Sequence, residues 1–214
     1  MVTIFRKRWF RRGLVGILAA FVLAVLVYLA LIRPWHLHWG ATQEEVSRPM
    51  PGDSLIADAS LNTTRAITIR ARPEQIWPWL VQMGPGRGGW YSYDRLDNSG
   101  RPSAERIVDE WQVTLQPGDS LGVGSGPKFQ VMAVEPNRYL VLGPKISWAM
   151  ALYPQADGTT RLVERLRAHY YWSNVHGAVF AVFMDVGDFI MMRKMLLTLK
   201  ERVERYESVE HTEG

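Results

Sequence analysis

FIMMRKMLLTLKERVERY, residues 189–206, decides the fold. Phe189, Met192, Leu196, Leu199, Val203 and Tyr206 recur at alternating steps of three and four, so a helix carries them as one stripe. Burying each large apolar side chain is worth roughly 1.5–3 kcal/mol, and a stripe of this length needs an apolar surface to lie on. Glu201 and Arg205 are spaced for an i,i+4 ion pair that adds only a few tenths of a kcal/mol. Packing therefore decides where this helix goes.

The residues before it supply that surface. Alternation and β-branched content predict strands at 119–123, 128–134, 138–143, 146–153 and 160–171, punctuated at Gly126-Pro127, Pro136-Asn137, Gly143-Pro144 and Asp157-Gly158. Connections this short imply an antiparallel meander. An earlier strand is expected over 64–71, with Ile67, Ile69 and Ala71 on one side and Ala66, Thr68 and Arg70 on the other. Pro73 suits the first turn of the helix that follows, and Glu74 suits its positive end. Ile76, Leu80 and Met83 share its buried face, Pro78 interrupts one backbone bond and Gly84 stops it. Residues 84–100 read as loop and 103–112 as a short helical stretch. Residues 174–188 are apolar, and Gly177, Gly187, Asp185 and Asp188 predict a break before the terminal helix. A sheet with a helix lying across it is a two-layer α+β solution.

The N-terminal region has a different character. Residues 14–32, LVGILAAFVLAVLVYLALI, hold no charge. Nineteen residues at about 1.5 Å each span roughly 28 Å, close to the hydrocarbon thickness of a bilayer. Trp9, Phe10, Trp35 and Trp39 flank the run as interfacial aromatics do. Arg6, Lys7, Arg8, Arg11 and Arg12 precede it, whereas only Arg33 and Arg48 follow nearby, so the N-terminus is expected in the cytoplasm and the large domain outside it. A cleaved signal peptide would have a shorter apolar core and a small-x-small site after it. The expected organisation is a basic arm over 1–13, a transmembrane helix over 14–32, a connector over 33–62, a folded domain over 63–207 and a polar tail over 208–214. In the connector, Thr42 and Glu45 fit a capping box, Pro49 and Pro51 end the short helix, and Gly52-Asp53 turns the chain.

Charge and composition exclude several functions. The net charge of +4 comes from the arm; removing its five basic residues leaves 20 against 21 acidic ones. That confinement beside an apolar run points to a membrane surface and not to nucleic acid. There are no cysteines, hence no disulfide, thiolate metal site or cysteine nucleophile. His36, His38, His169, His176 and His211 lack zinc-enzyme spacing, and no metal or other cofactor is expected. Gly84, Gly86, Gly88 and Gly89 follow a helix end, and Gly122, Gly124 and Gly126 lie between strands, so neither set is placed to cradle phosphate. No serine sits in a GxSxG elbow; a Ser-His-Asp set assembled by folding stays open. No feature identifies a protein partner.

TRAITIRARPEQIWPWLVQMG (64–84), GGWYSYDRLDN (88–98), ERIVDEWQ (105–112) with PGD (117–119), and FIMMRKMLLTLK (189–200) resemble blocks of a bacterial, membrane-anchored branch of the START/Bet v-type superfamily, also called SRPBCC or polyketide cyclase/dehydrase-like. WGATQEEV (39–46) resembles the segment that precedes them. The resemblance covers 39–206 and carries no catalytic signature. It implies a helix-grip fold, a curved antiparallel sheet wrapped around the C-terminal helix, with an apolar cavity between them for a lipid-like or aromatic ligand.

Several residues are candidates for that cavity. On the strand 160–171, Leu162, Glu164, Leu166, Ala168 and Tyr170 share the face expected to point inward. Glu164 is then either a carboxyl with a raised pKa, able to act as acid or base, or one member of an ion pair with an arginine or lysine, or a group at the sheet rim. Trp90, Tyr91, Tyr93 and Asp94 either line the cavity mouth or pin their loop, with Asp94 bonding backbone amides or Arg95. Trp111, Trp148 and Trp172 are core or cavity wall. Met184, Met191, Met192 and Met195 are helix packing that also suits an adaptable apolar ligand. The ligand-binding set is thus Trp90, Tyr91, Tyr93, Asp94, Trp111, Glu164, Tyr170 and Met192. Three functions compete: binding of an apolar or amphipathic small molecule, a cyclase- or hydrolase-like enzyme using a cavity carboxylate, and a structural protein whose cavity is filled by its own side chains.

Overall fold

The structure is a computed structural model that describes residues 2–122, 129–169 and 175–213, with side chains described for 13–122, 129–169 and 181–206. Met1–His36 and Leu37–Gly214 are two compact units. The first holds α1 (Val2–Val27), a π-helical turn at Tyr28–Ile32 and the start of α2 (Arg33–Leu37). Gly13–Leu37 is long and apolar enough to cross a membrane.

The second unit opens with the connector. Thr42 caps α3 (Gln43–Ser47): its hydroxyl accepts from the Glu45 amide at 3.2 Å, while the Glu45 carboxylate accepts from the Thr42 amide at 2.8 Å. A 3-10 turn at Asp53–Ile56 follows Gly52, which sits at φ 89°. Then come β1 (Leu61–Ile69), α4 (Pro73–Val81), α5 (Asp94–Asp97), β2 (Ser120–Leu121), β3 (Phe129–Glu135), β4 (Tyr139–Gly143), β5 (Ser147–Pro154), β6 (Thr160–Ala168) and α6 (Val175–Glu213). The strands form one six-stranded sheet in the order β1-β6-β5-β4-β3-β2, every neighbouring pair antiparallel. The return of β6 beside β1, with Leu61 opposite Ala168 and Ile69 opposite Thr160, leaves β1 as one edge and the short β2 as the other.

Pleating divides the sheet cleanly. Ile69, Leu162, Leu166, Trp148, Met150, Leu152, Leu140 and Leu142 face inward and share one core with Ile76, Trp79 and Leu80 of α4 and with Met195, Leu196, Leu199 and Val203 of α6. The terminal stripe thus lies where its burial energy sends it. Lys200 fixes the far end of α6, donating to the Thr68 carbonyl at 2.6 Å and to Glu204 at 2.6 Å.

The outer face is covered as well. Met50 packs on Ala66, Val141, Ala149, Ala151 and Val163. Arg165, only 3% exposed, donates to the Thr64 hydroxyl, to the carbonyls of Arg48, Glu45 and Val46, and to the Asp53 carboxylate, all at 2.8–2.9 Å. Arg161 pairs with Glu45 at 2.7 Å and Arg167 donates to the carbonyls of Ile56 and Ala57. The connector is therefore a strap held to β6 by three arginine forks.

Four expectations need correction. The chain enters β1 at Leu61, not near 64, so Leu61 and Thr63 also join the inner face, in line with Arg65, Ile67 and Ile69. No helix forms over 103–112 beyond the single turn Asp109–Trp111, because Gln82 holds that stretch extended: its amide donates to the Arg106 carbonyl and its carbonyl oxygen accepts from the Val108 amide. The break expected within 174–188 is absent; α6 runs unbroken from Val175 through Gly177 and Gly187. The helix also continues to Glu213, through the stretch expected as a polar tail. Tyr170, Trp172, Gly124 and Gly126 lie outside the described residues.

Candidate functional site

The first half of α6 and the inner face of the sheet enclose a cavity of about 810 Å³. Phe129, Ile146, Trp148, Leu166 and Ala168 form its sheet side. Met184, Gly187, Asp188, Met191 and Met192 belong to its helix side. Gly187 contributes to the space, since a Cβ added there meets no atom within 4 Å. Its mouth is apolar and open to solvent: Leu96 is 76% exposed, Phe183 72% and Ile190 47%. Behind the wall, Trp90 meets Phe129 edge-to-face and Trp148 at a tilt, with ring centroids 5.4 and 5.3 Å apart.

Beside the cavity lies a buried charged cluster. Arg65 and Glu164 are opposite one another in the β1–β6 register, with Nη1 3.7 Å from Oε2. Arg65 Nη1 lies 2.8 Å from Asp188 Oδ2 on α6. Asp185, one helical turn earlier, is fully buried too. Burial pushes the Glu164 carboxyl up to about 8; Arg65 opposes this, Asp188 adds to it, and the Trp148 indole N–H favours the charged form. Asp188 is also raised, by burial first, with Arg65 opposing and Asp185 reinforcing. Of the three groups in contact, Asp188 alone belongs to the cavity lining. The cluster explains why α6 tolerates Asp188 on a face that packs against the sheet: a buried arginine meets it.

The candidate residues separate on this geometry. Tyr93 and Met192 line the cavity, and Trp90 supports its wall from behind. Glu164 points inward, fully buried, but is not part of the lining, and it is paired with Arg65. Tyr91 and Asp94 lie away from the cavity and pin their loop. The Tyr91 hydroxyl donates to the Trp79 carbonyl at 3.0 Å and accepts from Gln82 Nε2 at 2.9 Å. Burial raises its pKa. Asp94 accepts from the Ser103 amide and hydroxyl. Trp111 also lies apart, under the Arg87 guanidinium at 5.2 Å.

Residues missed by the sequence reading are Arg65 and Asp188, which meet only through folding, and Ser92, whose hydroxyl donates to the Met191 carbonyl at 3.0 Å and ties the mouth loop to α6. Asp188 had one legible signal, a charge inside an apolar stretch.

The sequence matches no protein-family model and no curated protein. Among solved structures, NE0264 from Nitrosomonas europaea is similar at 13% identity, with 74% of this chain and 99% of that chain covered and a TM-score of 0.48. The KanY protein is similar at 12% identity over 67% and 97% of the two chains, TM-score 0.44. The Polyketide_cyc-like protein Cgl2372 from Corynebacterium glutamicum is similar at 18% identity over 72% and 94%, TM-score 0.38. With one antiparallel sheet, its first and last strands side by side and a long C-terminal helix packed on the inner face, the chain has a helix-grip fold.

Proposed function

We propose that this protein binds an apolar or amphipathic small molecule in its helix-grip cavity while an N-terminal helix anchors it in the cytoplasmic membrane. The observation that carries the reading is the cavity itself: about 810 Å³, within the range of roughly 300–1,000 Å³ typical of small-molecule sites. Its lining is almost wholly apolar and its mouth exposes Leu96, Phe183 and Ile190. A structural protein filled by its own side chains would leave less than about 300 Å³. Turnover through Glu164 gains nothing from the geometry, because that carboxyl is sealed behind Arg65 and Asp188.

Native mass spectrometry of the detergent-extracted full chain tests the binding reading. An apolar molecule should co-purify or add on exposure to lipid extracts. A consistently empty protein that no lipid or aromatic compound stabilises contradicts it. The five basic residues before residue 13 support a cytoplasmic N-terminus. A reporter fused to the C-terminus should be active only outside the cytoplasm; activity inside reverses the orientation.

A further inference from the structure

The cavity's chemistry narrows its ligand, given the reading that the cavity binds one. Its described lining contains a single charged residue, Asp188. The Asp188 side chain keeps 11% of its surface accessible, whereas Arg65 and Glu164 keep none. Among the described lining residues, a molecule entering the cavity therefore meets one carboxylate and no cationic side chain. The Arg65 guanidinium is already committed to Asp188 and Glu164 and sits behind them.

We propose that the ligand is an apolar chain or ring system ending in one hydrogen-bond donor, an alcohol or an ammonium, and that this end points inward onto the Asp188 carboxylate. A hydroxyl or ammonium gives Asp188 a charge-assisted hydrogen bond in a site with little water. A fatty-acid carboxylate in the same position would be desolvated beside a like charge, with Arg65 already paired to that charge and without exposed surface of its own. It would have to leave its head at the rim. Around Asp188, the facing groups are Arg65 of β1, Glu164 of β6 and Asp185 of α6. Burial and Asp185 work against the charged form of Asp188 while Arg65 favours it, so a ligand donor adds to the support that Arg65 gives the carboxylate.

A matched series decides this. The full chain in phosphatidylcholine nanodiscs is loaded with the neutral dye N-phenyl-1-naphthylamine, and 1-dodecanol, dodecylammonium and dodecanoate compete for it near neutral pH, with empty discs subtracted. The alcohol and the ammonium should displace the dye at concentrations about tenfold or more below dodecanoate. Asp188→Asn should shrink the preference for ammonium over dodecanoate to roughly threefold or less, each competitor being read against the variant's own dye affinity. Equal competition by all three, or a preference for dodecanoate, overturns the inference and leaves the cavity reading standing. An unchanged ammonium preference in folded Asp188→Asn also overturns it. Failure of the dye to bind removes the cavity reading itself. Should Asp188→Asn not fold, the series on the native protein decides alone.

Discussion

Arg65 and Glu164 stand opposite one another across β1 and β6, 3.7 Å apart and without exposed side-chain surface. One arginine faces more acid than it can neutralise, since Asp188 takes the shorter contact at 2.8 Å. Burial, which Arg65 offsets only in part and to which Asp188 adds, pushes the Glu164 carboxyl up to about 8 from 4.5.

The sign of the resulting pH dependence follows. Between pH 4.5 and about 8 the folded chain holds a proton that the unfolded chain has released, so stability falls as pH rises through that window. Glu164→Gln keeps the shape of the neutral form and has no proton to lose. Its melting temperature should gain on the native protein by roughly 2–4 °C or more between the two ends of the window, equivalent to about 1 kcal/mol for a chain of this size. Comparing the two proteins matters, because His38, lowered by burial and by Arg65 and Arg165, titrates in both. Parallel melting curves across the window contradict the buried pair.

Arg165 gives a second prediction. Five acceptors converge on its guanidinium, three of them carbonyls of the connector. Arg165→Met leaves those acceptors buried without a donor, and breaking such a pair costs about 3–5 kcal/mol. Denaturant titration should show that loss, and amide exchange over 43–57 should rise with it. Arg165→Lys should recover little, because an ammonium lacks the fork. Full protection of 43–57 in Arg165→Met contradicts the strap.

Tyr91→Phe separates support from binding. It deletes the bonds to Trp79 and Gln82, a loss of about 1–2 kcal/mol, with ligand affinity unchanged because Tyr91 is not in the cavity lining. A drop in affinity without a drop in stability would place Tyr91 at the ligand after all.

How much of this was legible depended on range along the chain. The stripe from Met192 to Val203 announced its helix and its burial, because periodicity is local and the packing energy follows from it. The Thr42–Glu45 box was legible for the same reason. The Arg65–Glu164–Asp188 cluster was not: its members lie on three elements that meet only through folding, and nothing local pairs them. Gly187 and Asp188 read as a break because both have poor helix propensity, yet tertiary contacts hold α6 straight through them. The strap on Arg165 left no trace either, since backbone carbonyls are acceptors in every sequence.

Gly187 turns that mismatch into a test of stability. It lies in the interior of a helix with open space at its Cβ position. Gly187→Ala should therefore stabilise the protein by about 0.5–1 kcal/mol through backbone entropy. A destabilised variant would mean that the space beside Gly187 is occupied.

The same position tests the cavity most directly. Gly187→Trp places an indole in the open volume beside Asp188 and Met191. Saturable binding of N-phenyl-1-naphthylamine should be measured for native and Gly187→Trp protein in nanodiscs, with folding checked by circular dichroism. The native chain should bind the dye, and the folded variant should bind it at least about tenfold more weakly. Native protein that shows no saturable binding, or a folded variant that binds as well as the native chain, contradicts the account.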